Sequence, residues 1–200
     1  MKGFEKGFGK GTASIAPTAP KKTHHGHKTH GHPAPPKTHG GKKTHGTHGT
    51  GGVGGISASG RQQMQALLHA ARNGAGGRRP LGWCLKRVED YLQNVSYGKI
   101  GHGHIPRFGY AHQFADYLNA GHRYAQLGLK KLNITNPYDA PPGAIIVVRH
   151  GTPGTHHPTA GDIVVKGNGD HFYNDGEMGY GGRGNFPPGN NHVLGIYVPA

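Results

Sequence analysis

Gly82-Trp83-Cys84-Leu85-Lys86-Arg87-Val88-Glu89-Asp90-Tyr91-Leu92 is the stretch that decides the fold, and it contains the only cysteine and the only tryptophan of the chain. Apolar residues recur here at helical spacing with charged residues between them, which predicts an amphipathic helix. Pro80 and Gly82 disfavour an earlier start, so Cys84 should lie on the first turn. The recurring apolar residues are Leu85, Val88, Leu92 and Val95.

A cysteine in this position is a candidate nucleophile. The unpaired amides and the positive dipole end of a helix stabilise a thiolate, so we expect the pKa of the Cys84 thiol to fall toward neutrality. The alternative is that Cys84 is a small, chemically inert apolar residue, as single buried cysteines usually are. Cys84 is therefore the first residue to locate in the structure.

The composition of the chain indicates that part of it has no packed core. The 200 residues include 38 glycines and 15 prolines, and only 32% are apolar. Such a composition is typical of a chain that is partly disordered. The net charge of +14 is divided between residues 1–60, which carry +8, and residues 61–200, which carry +6. Both parts of the chain are therefore basic.

Residues 1–59 are predicted to be a disordered basic tail. Within it, residues 21–55 repeat Lys-Thr-His-Gly, hold eight of the 18 histidines and offer no apolar residue larger than Ala34 to bury before Val53. Three interpretations are open: a solvated linker, a polycation that binds nucleic acid or an anionic envelope polymer, and a weak metal-binding tract. The histidines have no fixed spacing, which makes metal binding the least favoured of the three.

The rest of the composition excludes several classes of protein. A single cysteine cannot form an intrachain disulfide, and no apolar run is long enough to span a membrane. The basic N-terminus lacks the apolar segment of a secretory signal, so delivery by another route is expected. No acidic pair at useful spacing, phosphate-binding loop or Cys-x-x-Cys motif is present, and we predict neither a metal site nor a cofactor.

The folded domain is expected to span residues 60–200 and to begin with helices. Residues 60–73 predict a short helix that stops at Asn73-Gly74, and residues 108–120 predict another that is capped by Gly121. A loop at residues 98–103 separates the cysteine helix from the helix at 108–120. His102 lies in this loop and His104 directly follows it, and we interpret both as exposed loop residues.

Strands are predicted in the second half of the domain. Residues 143–148 form a wholly apolar, β-branched run that is typical of a central strand. Residues 161–165 and 171–175 flank a turn at 167–170 and predict a β-hairpin, and residues 193–198 predict a last strand. Helices followed by antiparallel strands indicate the α+β class, with the helices packed on one face of a small sheet.

Three segments in this order resemble the NlpC/P60 and CHAP group of papain-like cell-wall cysteine hydrolases. The resemblance covers roughly residues 80–198. It rests on Gly82-Trp83-Cys84 at the start of a helix, on Pro142-Gly143 before the apolar strand, and on the segment from His156 to Val165 with its hairpin partner. It implies a papain-like NlpC/P60-type domain in which Cys84 attacks an amide carbonyl and a strand histidine withdraws its proton.

The resemblance implies His157 as the base, with His156 second. Here the sequence departs from the family, because glycine and histidine usually open this strand whereas the chain has Gly161-Asp162. If Asp162 occupies the usual histidine position, we expect it to orient His157. Asn174 matches the polar third position of the family. His171 and Asp175 form a fallback pair on the other face of the strand.

The substrate groove is expected beside the cysteine. Trp83 is either a wall of this groove, with its backbone in the oxyanion hole, or a large core residue beside the helix start. His156 and Tyr173 are the other residues that we expect to contact substrate. The implied substrate is peptidoglycan, cleaved at a stem-peptide amide bond.

The absence of a signal sequence favours a bacteriophage virion protein or a secreted effector, either of which would act in the bacterial envelope or periplasm with virion or secretion-apparatus partners. Two alternatives come from other classes. One is a non-catalytic structural or binding component of a virion built on the same fold. The other is a nucleic-acid-binding protein that acts through its tail, although the folded part lacks an aromatic platform with interleaved basic residues.

Overall fold

The computed structural model describes residues 55–100 and 105–200. All but the last five residues of the predicted tail, 1–59, lie outside these ranges, so the prediction of disorder and the three interpretations of the tail are not addressed. His102 and His104 also lie outside the described residues.

The helices agree with the predicted positions, with shifted ends. The first, α1, is two residues longer at each end than predicted, and it continues past Asn73-Gly74 to a cap at Gly76, whose amide bonds Arg72 O at 2.8 Å. Ser57 caps its start by accepting the Gly60 amide at 2.9 Å. The helices are α1 (Ala58–Ala75), α2 (Cys84–Gln93), α3 (Ala111–Asn119) and the short α4 (Arg123–Gln126).

Cys84 is the first residue of α2, as the sequence predicted. The apolar face of this helix, which includes Val88 and Leu92, is buried in the core. The helix packs against β3 (Asp162–Lys166), the strand that carries the candidate site residue Asp162. Burial of the repeating apolar residues therefore fixes the position of Cys84 relative to the sheet.

A six-stranded antiparallel sheet forms the second half of the domain, in the order β1-β6-β2-β3-β4-β5. Its strands and the helices confirm the α+β class. All four residues of β2 are fully buried, as expected of a central strand. The strands are β1 (Leu129–Lys131), β2 (Ile145–Val148), β3 (Asp162–Lys166), β4 (Phe172–Tyr173), β5 (Glu177–Met178) and β6 (Val193–Pro199).

The predicted hairpin is present as β3 and β4, but α4, β1 and β5 were not predicted. These three elements have two to four residues each, too few to produce a readable hydrophobic period. The segment 176–191, between the predicted hairpin and the last strand, contains β5 and a 3-10 turn at Arg183–Asn185. The predicted helix 108–120 begins three residues late, at Ala111.

Gly161 sets the point at which the chain enters β3. Its φ of +70° belongs to the left-handed region, and a Cβ there would lie 2.3 Å from Val148 O. Only glycine tolerates both this backbone conformation and this close approach to the Val148 carbonyl. The next residue, Asp162, pairs with Val148 in the β2–β3 register. The glycine thus places the Asp162 side chain at the sheet end nearest α2.

An aromatic cluster packs beside β4. The rings of Tyr138, Phe172, Tyr180 and Phe186 meet edge to face, with centroids 5.0–6.2 Å apart. Tyr180 is fully buried in this cluster. Aromatic pairs in this geometry add stability beyond the area that they bury, so the long segment after β5 is anchored close to the candidate site.

Candidate functional site

The segment before α2 is held by the chain that follows β4. The Asp175 carboxylate accepts the Leu81 amide at 2.6 Å and the Trp83 amide at 3.0 Å. Gly176 lies so close to Pro80 that a Cβ would come within 2.4 Å of the Pro80 nitrogen. A carboxylate that accepts amides at the start of a helix satisfies donors that would otherwise lack partners. Asp175 therefore positions the first turn that carries Cys84.

The Cys84 side chain is partly buried and is directed at β3. The Asp162 side chain lies beside its thiol, and the backbone amide of Ile163 also faces the sulfur. Burial, and then the negative charge of Asp162, raise the pKa of Cys84 to about 12. The expected fall in this pKa is therefore wrong, because desolvation and a neighbouring carboxylate outweigh the helix dipole.

Asp162 is the second member of the site and is only 5% exposed. One carboxyl oxygen, Oδ1, accepts the Ile163 amide at 2.8 Å and the Asn174 side-chain amide at 3.0 Å. Burial raises the pKa of Asp162 to about 6, although the neighbouring Cys84 thiol and the hydrogen bonds from Ile163 and Asn174 oppose the rise. The proton of the pair therefore resides on sulfur at neutral pH, and Asp162 is a carboxylate.

Asn174 completes the arrangement. Besides its bond to Asp162, its side-chain oxygen accepts the Gly176 amide at 3.1 Å, and its backbone carbonyl accepts the Tyr91 hydroxyl at 2.7 Å. The residue is 1% exposed. Because its amide is held on both sides, Asn174 fixes the orientation of the Asp162 carboxyl. The structure thus brings together three of the predicted catalytic residues: Cys84, Asp162 and Asn174.

Tyr180 lies behind this group and was not predicted from the sequence. Its hydroxyl is buried next to Asp162 and Cys84, and burial with the charge of Asp162 raises the pKa of this phenol. The Tyr180 hydroxyl therefore stays protonated, and it is a polar group at the edge of the aromatic cluster. The glycine-rich context of Tyr180 gave no pattern that would identify it.

The predicted base, His157, lies on the same cleft as Cys84. Its Nδ1 accepts the Ala160 amide at 3.0 Å, and its ring centroid is 6.0 Å from that of Tyr110. His156 is also exposed on the cleft, and its Nδ1 is 3.0 Å from Gly154 O. Within residues 55–100 and 105–200, no hydrogen bond joins a histidine to Cys84. Asp162 lies beside the thiol and is bonded to Asn174, and within the described residues it is not bonded to His157, the residue it was expected to orient.

Tyr173 and His171 lie in a different place. Both line a second groove with Glu177 and the end of α1, and His171 Nδ1 is 2.5 Å from Glu177 Oε1. The structure therefore does not bring Tyr173 to the cleft that contains Cys84, and the fallback pair of His171 with Asp175 is not formed. Asp175 instead bonds the chain before α2.

Cys84 opens onto a cleft of about 240 Å³. Two of its wall residues are large exposed aromatic side chains: Trp83, 62% exposed, and Tyr110, 44% exposed. Of the two interpretations of Trp83, the structure excludes the core residue and supports the wall. Glu89, on α2, also lines the cleft, and burial raises the pKa of this carboxyl. Its position in the charged face of the helix did not distinguish it from a solvated residue.

No protein-family model, no curated protein and no solved structure shows a significant match to this chain. In the part of the chain that the structure describes, none of the helices is both long and apolar enough to cross a membrane. Within the same ranges, no three His, Cys, Asp or Glu side chains are grouped as metal ligands. The geometry of the cleft is therefore the basis on which a function is assigned.

Proposed function

We propose that residues 60–200 form a papain-like cysteine hydrolase of the NlpC/P60 or CHAP type that cleaves an amide bond in the stem peptides of peptidoglycan. One observation carries the proposal. The single cysteine begins a helix at the wall of an open cleft, Asp162 of β3 lies beside its sulfur, and Asn174 at the end of the β3–β4 hairpin bonds Asp162. This is the order of elements that a Cys-His-polar site uses in the resembling enzymes.

In the proposed reaction, the Cys84 sulfur attacks the carbonyl carbon of the scissile amide. The thiol loses its proton, the amine leaves with a proton, and water then hydrolyses the thioester to release the acid. The exposed Trp83 and Tyr110 side chains hold the peptide in the cleft. An attack that proceeds from a neutral thiol requires a proton acceptor that acts as the carbon–sulfur bond forms.

The basic tail completes the proposal. Its net charge of +8 attracts anionic polymers, either in the envelope or as nucleic acid. We place the protein in a phage virion or among effectors delivered to the periplasm, where a tail of this charge would retain the enzyme on its substrate. Removal of residues 1–55 should then reduce retention on sacculi at low salt more than it reduces turnover.

The test uses purified sacculi and the full chain. We expect the wild type to release soluble muropeptides with new amino termini, which mass spectrometry identifies, and we expect Cys84→Ala to release none above background. The thermal midpoint of the variant should show that it remains folded. Release of the same products by folded Cys84→Ala would exclude the proposed function.

A second candidate is a non-catalytic binding component of a virion. The raised pKa of Cys84 favours it, because a thiol beside a carboxylate is a weaker nucleophile than a thiolate beside an imidazolium. This candidate predicts that wild type and Cys84→Ala sediment equally with sacculi and that neither releases muropeptides. The hydrolase predicts release by the wild type alone.

A further inference from the structure

We propose that Asp162 is the residue that takes the proton from the Cys84 thiol, in the place where the resembling enzymes use a histidine. This inference rests on the hydrolase function proposed above, and its test separates the two. If Asp162 has this role, the site is a Cys-Asp-Asn arrangement in which no imidazole is needed to remove the thiol proton.

The hydrogen bonds of Asp162 point to this role. Its Oδ1 already accepts two bonds, from the Ile163 amide and the Asn174 side chain, at 2.8 and 3.0 Å. These bonds hold the carboxyl in one orientation beside the Cys84 thiol. A carboxylate fixed next to the nucleophile is placed to take its proton, as general-base catalysis requires.

The two cleft histidines are held by their own loop. His157 uses Nδ1 to accept the Ala160 amide, and His156 directs Nδ1 at the Gly154 carbonyl. Both rings are exposed, whereas Asp162 is almost completely buried. Within the described residues neither ring is hydrogen-bonded to Cys84, whereas the Asp162 carboxyl lies beside the sulfur.

The charged and titratable groups around Asp162 make it a suitable acceptor. Cys84 faces it from α2, Asp175 from the segment after β4, and Tyr180 from the segment after β5. His156 and His157 lie on the loop before β3 and line the same cleft. With its pKa raised to about 6, Asp162 is ionised at neutral pH but is more basic than an ordinary carboxylate.

The proton and electron balance of the reaction closes with Asp162 as the acceptor. The sulfur forms a bond to the carbonyl carbon while its proton moves to the Asp162 carboxylate. The resulting carboxylic acid gives that proton to the amine nitrogen as the C–N bond breaks. Asp162 then takes a proton from the water that attacks the thioester, and this proton returns to the leaving sulfur.

The test compares three variants of the full chain on purified sacculi. Asp162→Asn, which keeps the size of the side chain, should lower kcat/KM by about 100-fold or more, the range that general-base catalysis contributes. The exposed Asp170→Asn is the matched control and should leave kcat/KM within about threefold of wild type. His157→Gln should lower kcat/KM by less than about tenfold, since it removes only a side chain that lines the cleft.

The pH profile separates a proton acceptor from a structural residue. We expect wild-type kcat/KM to rise with pH through a single ionisation near the pKa of Asp162, about 6, and this rise to be absent in the residual activity of Asp162→Asn. If Asp162→Asn stays within about threefold of wild type while His157→Gln loses about 100-fold, the base is the imidazole and the inference fails, but the hydrolase stands. Full activity of Cys84→Ala would instead end the proposed function itself.

Discussion

The Asp175 carboxylate accepts the backbone amide of Trp83 at 3.0 Å and so fixes the turn from which Cys84 begins its helix. The same oxygen accepts the Leu81 amide. The two residues are separated by 92 positions in the sequence, so this bond connects the end of the hairpin to the start of α2. The positions of Cys84 and of the exposed Trp83 side chain both depend on where this turn lies.

Loss of the Asp175 carboxylate should destabilise the protein. Asp175→Ala removes two charge-assisted hydrogen bonds and leaves two amides without their acceptor, which should lower the free energy of unfolding by about 1.5–3 kcal/mol. Urea unfolding at neutral pH measures the change. Asp170→Ala is the control, because its carboxylate is 66% exposed and makes only a long contact of 3.9 Å with Arg183. Equal midpoints for the two variants would contradict the role of Asp175.

The stability of the wild type should fall as Asp162 ionises. Its pKa is raised from 3.8 to about 6, so the folded state holds this proton more tightly than the unfolded state does. The stabilisation is complete below about pH 4, is lost as the pH rises to about 6, and the total loss is on the order of 3 kcal/mol. The Cys84 thiol does not contribute over this range, since its pKa is about 12.

The measurement is the difference in unfolding free energy between wild type and Asp162→Asn across this pH range. Other groups titrate equally in both proteins, so the difference isolates Asp162. We expect Asp162→Asn to gain stability relative to the wild type as the pH rises from about 4 to 6, and the difference in unfolding free energy to be constant above about pH 6. A difference that does not change with pH would contradict the raised pKa of Asp162.

Cys84 should react slowly with thiol reagents. With its pKa raised to about 12, iodoacetamide at about pH 7.5 should alkylate it on the order of 100-fold more slowly than free cysteine. Asp162→Asn removes the negative charge but not the burial, so the rate should rise by about tenfold without reaching that of the free amino acid. Mass spectrometry of the intact chain follows the reaction. Rapid alkylation of the wild type would show that the sulfur is a thiolate.

The Trp83 side chain should matter for substrate binding and not for folding. Trp83→Ala should raise KM by on the order of tenfold and leave the free energy of unfolding within about 0.5 kcal/mol, because the indole is 62% exposed at the cleft wall. Leu81→Ala is the matched control: Leu81 is 79% exposed and does not line the cleft. A KM that changes equally in both variants would contradict the assignment of Trp83 to the substrate groove.

Much of the fold was predictable because its larger elements have strong periodic patterns. The apolar face of α2, the wholly apolar β2 and the hairpin of β3 with β4 all appear where the sequence placed them. The short strands β1 and β5 were missed: β1 is stabilised by pairing with the distant β6, and β5 is a two-residue strand that pairs with the adjacent β4. A strand of two or three residues has no period that a sequence can show.

The candidate site was predictable in its members but not in its connections. Cys84, Asp162 and Asn174 were all chosen from the sequence, yet Asp162 was expected to orient a histidine and instead contacts the thiol. Adjacent residues such as Asn174 and Asp175 reach different partners because of the bend after β4. The direction of the Asp175 side chain depends on contacts with residues about 90 positions away, which spacing along the chain does not encode.

The central claim is that the Cys84 sulfur attacks an amide carbonyl in peptidoglycan. Its most direct test is the initial rate at which new primary amines form in a suspension of purified sacculi, compared between wild type and folded Cys84→Ala. The account predicts a measurable rate for the wild type and a rate at least about 1,000-fold lower for Cys84→Ala, as for loss of a catalytic nucleophile. Equal rates, or no amine formation by either protein, would contradict it.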